Sequence, residues 1–202
     1  MLLWWRCETI FITLATALGL TAAGLHWRLN NNAKHTHKTT AGEKLPVFSA
    51  VSVDSGAHTK LGHESGKWQL IVVYRGKHCG RCKKYLNALE AMQSQWLEAG
   101  FDITVVSADS RAKAQLDQQE FGWSFPLYCE LSEDDMRALG VYISDPLSPD
   151  EADGRFAEPA VFCLRSDGTV QIAAISNGPA ARPDLAELLD GMVFPIENNR
   201  PA

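Results

Sequence analysis

The chain holds 202 residues, 46% hydrophobic and 21% charged, which suits one domain of ordinary size with extensions and a real apolar core. Its formal net charge of -5 gives no general reason to expect a nucleic-acid partner. Of five cysteines only Cys79 and Cys82 lie close together, which excludes a disulfide scaffold and leaves one special pair beside Cys7, Cys129 and Cys163.

The chain opens on an uncharged run, TIFITLATALGLTAAGL, over residues 9–25, at the short end of what spans a bilayer. Trp4 and Trp5 precede it and Trp27 follows, as interface anchors do. Two readings stay open: an uncleaved transmembrane helix, or a cleaved signal segment with Arg6 as its basic end. The expected organisation is an anchor or signal segment over 1–28, a flexible polar linker over 29–44, one domain over 45–194 and a tail over 195–202. Basic residues on both sides (Arg6 before, Arg28, Lys34 and Lys38 after) tilt the domain towards the cytoplasm. His35 and His37 lie in the polar linker and read as solvated rather than metal-binding.

Beyond the linker, strand and helix patterns alternate. Residues 46–53 read as a short strand. The continuous apolar run QLIVVY at 69–74 suits a central strand buried on both faces. A helix follows over 80–98, with Leu86, Leu89, Met92, Trp96 and Leu97 at helical spacing and Gly100 beyond its end. Residues 101–107 form the next strand and 110–120 a polar helix, with Asp109 expected as a helix cap. Residues 125–128 are extended, and 132–139 form a helix capped by Ser132. A hairpin joins 160–164 to 169–175 across Ser166-Asp167-Gly168, and 183–191 is a last helix with Pro183 at its start. The expected fold is α/β: a thioredoxin-like central mixed β-sheet flanked by helices, with an N-terminal transmembrane helix.

The chemistry gathers at Cys79-Gly80-Arg81-Cys82. Cys79 follows the central strand and opens the long helix, where unsatisfied N–H groups and the helix dipole favour a thiolate. Cys82 lies one turn on, close enough to form a disulfide. Cys79 is therefore the expected nucleophile and Cys82 the resolving thiol. Arg75, Lys77, His78, Arg81, Lys83 and Lys84 crowd the pair. Arg75, His78 and Arg81 are the candidate supporting residues, and Lys83 and Lys84 read as a solvated helix face. A structural zinc site needs four ligands, and haem attachment needs a histidine where Lys83 stands, so neither fits. No metal and no cofactor beyond the redox-active disulfide is expected. Cys129 and Cys163 read as small buried residues, and Trp123 and Tyr128 as packing.

LPVFSAVSVDSGAHTKL, GKWQLIVVYRGKHCGRC, VVSADS, FPLYCELSEDDMRALGVYIS and EPAVFCLRSDGTV fall in an order that resembles the alkyl hydroperoxide reductase/thiol-specific antioxidant (peroxiredoxin-like) branch of the thioredoxin superfamily. By that resemblance the first segment is an opening β-hairpin. Typical members carry Pro-x-x-x-Thr-x-x-Cys, where this chain has Val72, Gly76 and Cys79. They also place an arginine before the late hairpin, where Glu158-Pro159 stands and Arg155 is offset. Thioredoxin-type oxidoreductases have a CxxC and a cis-proline instead. The resemblance thus implies a cis Pro159 beside Cys79, with the Glu158 carboxylate near the thiols. It implies a thiol-based antioxidant enzyme whose partner is a protein dithiol/disulfide or a hydroperoxide. By analogy with short anchors of thioredoxin-like proteins, it places the domain on the outer, periplasmic side of the membrane. A membrane-tethered binding module with a static disulfide is the non-enzymatic alternative.

Overall fold

The structure is a computed structural model that describes residues 13, 15–24, 38–62, 64–148 and 151–198. The chain divides into two units, 1–32 and 33–202. In the first, residues 15–24 are helical. A span of the roughly 30 Å hydrocarbon core needs about 20 apolar residues, whereas this described run rises only about 15 Å. Among the described residues no helix is long and apolar enough to cross a membrane. That finding corrects the expected transmembrane helix over 9–25 and the single-pass membrane location drawn from it. The rest of that run, the flanking tryptophans, Arg6, Cys7, Arg28, Lys34, His35 and His37 lie outside the described residues.

The second unit is built on a seven-stranded sheet ordered β2-β1-β5-β4-β3-β8-β9. The strands are β1 (Phe48–Ser52), β2 (His58–Leu61), β3 (Trp68–Val73), β4 (Phe101–Val106), β5 (Leu127–Cys129), β8 (Ala160–Leu164) and β9 (Val170–Ile175), with a separate short pair β6 (Ile143–Ser144) and β7 (Phe156–Ala157). β3 runs parallel to β4, in register from Trp68 opposite Phe101 to Val73 opposite Val106, and antiparallel to β8. The sheet is therefore mixed, as the alternation of patterns implied. β1 and β2 form the opening hairpin that the resemblance implied.

The continuous apolar run of β3 is explained by its place between two layers. Leu70 and Val72 face one core with Leu86, Leu89 and Trp96 of α1 (Gly80–Glu98). Ile71 and Val73 face the other, with Phe48, Phe162 and Met136. All four β3 residues are buried, and each such side chain contributes about 1.5–3 kcal/mol. The remaining helices are α2 (Arg111–Phe121), α3 (Glu133–Ala138) and α4 (Leu185–Glu197). The hydroxyl of Ser132 accepts from the Asp135 N–H at 3.1 Å, so the expected cap of α3 is present. α4 begins after its cap Asp184 and runs past the expected end at Gly191, because Met192 and Pro195 carry its buried stripe onward.

The candidate active site

The chain leaves β3 through Tyr74, whose N–H still donates to Val106 O at 3.0 Å, and then turns through Arg75–His78. Gly76 makes that turn possible. Its φ is +118°, a conformation that disfavours a side chain, and an added Cβ would lie 2.6 Å from the Asp109 carboxylate oxygens. That carboxylate accepts the Lys77 N–H at 2.6 Å. Asp109 was expected to cap a helix. Instead Ser110 occupies the cap position of α2, and Asp109 ties the end of β4 to the turn that delivers Cys79. Burial raises the Asp109 pKa, and the Lys77 N–H opposes that rise.

Cys79 is the N-cap of α1, and the Cys82 N–H donates to its Sγ at 3.3 Å. A helix start thus holds the sulfur in the anion position. Cys79 is 4% exposed and Cys82 1%. The Cys79 thiol is pulled down to about 5, first by the hydrogen bond from the Cys82 thiol, then by the Cys82 N–H and by Arg182 and Arg75, against the opposing effect of burial. Cys82 moves the other way, raised by burial and by the neighbouring Cys79. The two sulfurs therefore divide into a thiolate and a thiol held protonated.

Arg182 went unnoticed in the sequence. It lies between β9 and α4, and its Nη2 is 2.9 Å from Cys82 Sγ and 3.9 Å from Cys79 Sγ. Its Nη1 donates to Pro179 O at 2.7 Å, which fixes the guanidinium. Its position before the Pro183-Asp184 start of the last helix was the only local mark it carried.

The other cations near the motif behave differently. Arg75 Nε lies 3.3 Å from Glu158 Oε2 and its Nη2 3.6 Å from Glu151, with the guanidinium 4.7 Å over the Phe156 ring. His78 packs on the same ring at 4.8 Å, with Nε2 3.6 Å from Glu151. Burial, then Arg75, lowers its pKa and favours the neutral imidazole. Lys83, expected on a solvated face, lies 3.2 Å from the fully buried Asp117 carboxylate, which Lys77 also approaches at 3.7 Å. Arg81 is exposed and forms no ion pair with this cluster among the described residues.

Glu158 is 3% exposed and accepts from the Ser144 hydroxyl at 2.7 Å. Burial raises its pKa, against the pull of Ser144 and Arg75. The structure thus brings Cys79, Cys82, Arg75, His78 and Glu158 into one neighbourhood. The expected cis bond at Pro159 is corrected: no cis peptide occurs among the described residues. Pro159 joins β7 to β8, where Glu158 N–H donates to Tyr142 O and Pro159 O accepts from Ser176 N–H. The ordinary trans bond, favoured by about 0.5–1 kcal/mol, meets both contacts. Arg155, offset in sequence from the family's late arginine, is engaged by Glu133 at 2.6 Å and Asp145 at 2.9 Å. Cys129 and Cys163 are buried, and burial raises their thiols to about 11 and about 12.

A thiolate at a helix start, a protonated thiol one turn on and a mixed sheet behind them define a thioredoxin-fold thiol oxidoreductase. Residues 41–173, well over half of the chain, match the AhpC/TSA family model, and the chain belongs to that family. It is an enzyme of the thiol oxidoreductase and thiol peroxidase class. Among solved structures it is similar to Mycobacterium tuberculosis AhpC, with a TM-score of 0.64 and 16% identity over 81% of this chain and 96% of that one. The reduced 2-Cys peroxiredoxin of Plasmodium vivax matches with a TM-score of 0.63 and 19% identity over 80% and 83%. A peroxiredoxin-like protein from Aquifex aeolicus matches with 0.61 and 20% over 79% and 88%. At these identities the likeness is one of fold. No curated protein sequence matches the chain.

Proposed function

We propose that this chain is a dithiol–disulfide oxidoreductase in which Cys79 attacks and Cys82 resolves. The observation that carries this reading is Arg182 Nη2 lying against both sulfurs, 2.9 Å from Cys82 and 3.9 Å from Cys79. In the forward direction the Cys79 thiolate attacks one sulfur of a partner disulfide. The partner's S–S bond breaks, a mixed disulfide forms, and one partner thiolate leaves and takes a proton. Cys82 then loses its proton and attacks Cys79 Sγ, which frees the second partner thiolate and closes the Cys79–Cys82 disulfide. Arg182 stabilises whichever sulfur carries the charge. Glu158, with a raised pKa, is the nearby carboxyl suited to exchange a proton with this pair.

Hydroperoxide reduction is the second reading, and family membership favours it. Cys79 would take one peroxide oxygen and become a sulfenic acid, the alcohol would leave, and Cys82 would condense to the disulfide with release of water. Against it stands the turn. The position where the resembling peroxiredoxins carry threonine is Gly76, and the Asp109 carboxylate fills the space its side chain would need.

Stopped-flow mixing of the reduced chain with hydrogen peroxide and with insulin disulfides separates the two. Exchange predicts rapid insulin reduction, slow reaction with peroxide, and trapped mixed disulfides in Cys82→Ser. Fast stoichiometric loss of the Cys79 thiol to peroxide would establish the peroxidase in its place.

A further inference from the structure

One face of α1 carries Arg81, Lys84, Tyr85, Ala88 and Met92 at helical spacing. It forms a groove of about 520 Å³ with Arg182 and the start of α4. From Arg81 to Met92 the groove runs roughly 16 Å along the helix. Arg81 and Lys84 are exposed, and neither forms an ion pair or hydrogen bond among the described residues. The one carboxylate on the lining, Asp184, is turned onto its own helix, where Oδ1 accepts from the Ala186 and Glu187 N–H groups at 2.9 and 3.1 Å. Arg182 belongs both to the groove and to the thiols. A cationic trough with an apolar floor, uncompensated among the described residues, therefore reaches Arg182, the side chain that contacts both sulfurs.

We propose that this groove binds a small carboxylate-bearing thiol, the reductant that recycles the Cys79–Cys82 disulfide. The proposal rests on the exchange reading of the pair. Charge complementarity selects an anion: three cations line the groove, and two of them have no counter-charge among the described residues. Size selects a small molecule, because about 520 Å³ lies within the range of about 300–1,000 Å³ for such sites.

The chemistry balances. A first thiolate attacks Cys79 Sγ of the disulfide, the Cys79–Cys82 bond breaks, and Cys82 leaves as a thiolate beside Arg182 and takes up a proton. A second thiolate attacks the reductant's sulfur in the mixed disulfide, and Cys79 leaves as a thiolate. Two thiols are oxidised to one disulfide, and the protein disulfide is reduced to one thiolate, one thiol and a released proton. The low pKa of Cys79 makes it a good leaving group in the second step.

The test mixes the oxidised full chain with reduced glutathione, or with neutral 2-mercaptoethanol, at low salt. Quenched samples are read for the Cys79–Cys82 disulfide by mass spectrometry. The quantity of interest is the ratio of the two second-order rate constants, in which each thiol's intrinsic reactivity cancels between variants. The expected result is that Lys84→Glu lowers the glutathione-to-mercaptoethanol ratio about tenfold, that Arg81→Glu does the same, and that added salt shrinks the wild-type ratio. A ratio unchanged within about twofold in both variants overturns the groove proposal and leaves the exchange reading standing. Failure of both thiols to reduce the wild-type disulfide overturns the exchange reading and this proposal with it.

Discussion

The two flanks of the Cys79–Cys82 pair carry the same kinds of residue and put them to different use. On one flank Arg75 faces Glu151 and Glu158, and Lys77 and Lys83 face the buried Asp117. On the other, Arg81 and Lys84 face no carboxylate among the described residues, and Arg182 faces sulfur. Paired cations largely cancel their own field and hold elements together. Unpaired ones project charge to whatever approaches. The helix α1 that divides the flanks thus has one structural side and one side left open for ligands. Consistent with this, Arg182 lowers the Cys79 pKa more than Arg75 does.

The largest expected effect comes from breaking the paired flank. Asp117 is fully buried between α1 and α2, with Lys83 at 3.2 Å and Lys77 at 3.7 Å. Asp117→Ala leaves Lys83 without its counter-charge and Lys77 with only Glu120 at 4.0 Å, and should cost about 3 kcal/mol in urea unfolding of the reduced protein. The Cys79 titration should change little. A loss below about 0.5 kcal/mol would mean that this flank is not a structural clamp.

Arg182→Ala acts on the open flank and is smaller. Removing a cation from beside a thiolate disfavours the anion, so the Cys79 pKa should rise from about 5 by about one unit. At pH 5 that lowers the thiolate fraction about fivefold, read as the rate of alkylation of Cys79 by iodoacetamide. Arg182→Lys should restore part of the loss. The same shift has a stability consequence. Cys79 titrates lower in the folded chain than in the unfolded one. Its contribution to the reduced protein is therefore present in full above the ordinary thiol pKa of 9.0 and is lost as pH falls through about 5. In Arg182→Ala the contribution should be smaller, and its loss should be complete at a higher pH on the way down.

Much of this arrangement is legible in the sequence, and the rest is hidden for identifiable reasons. The apolar run of β3, the stripe of α1 and the CxxC between them are local signals, and the structure carries all three. Arg182 is not local: 100 residues separate it from Cys82, and only the packing of α4 on α1 brings it there. Asp109 misled because an acidic residue before a helix satisfies the local rule for a cap. The Lys77 N–H of a distant turn competes for the same carboxylate and holds it. α4 outran its expected end at Gly191 because the buried Met192 and Pro195 follow it. In each case a tertiary contact overrode a local preference.

The smallest effect gives the sharpest contrast, because it compares neighbours. Lys83 and Lys84 are adjacent, and the sequence places both on one solvated helix face. Lys83 instead lies against Asp117 and 5.1 Å over the Phe121 ring, whereas Lys84 is exposed on the groove with no ion pair among the described residues. Lys83→Ala should cost about 1 kcal/mol or more, since it strips a counter-charge from a buried carboxylate. Lys84→Ala should leave unfolding within about 0.5 kcal/mol of wild type, since it removes neither packing nor a pair. Urea titrations of the two variants side by side measure the difference. Equal costs would mean that the charge asymmetry across α1 has no energetic counterpart. A cost confined to Lys83 would place the boundary between the structural and the open flank between two consecutive residues, where a rotation of about 100° per residue carries the side chain from one face of the helix to the other.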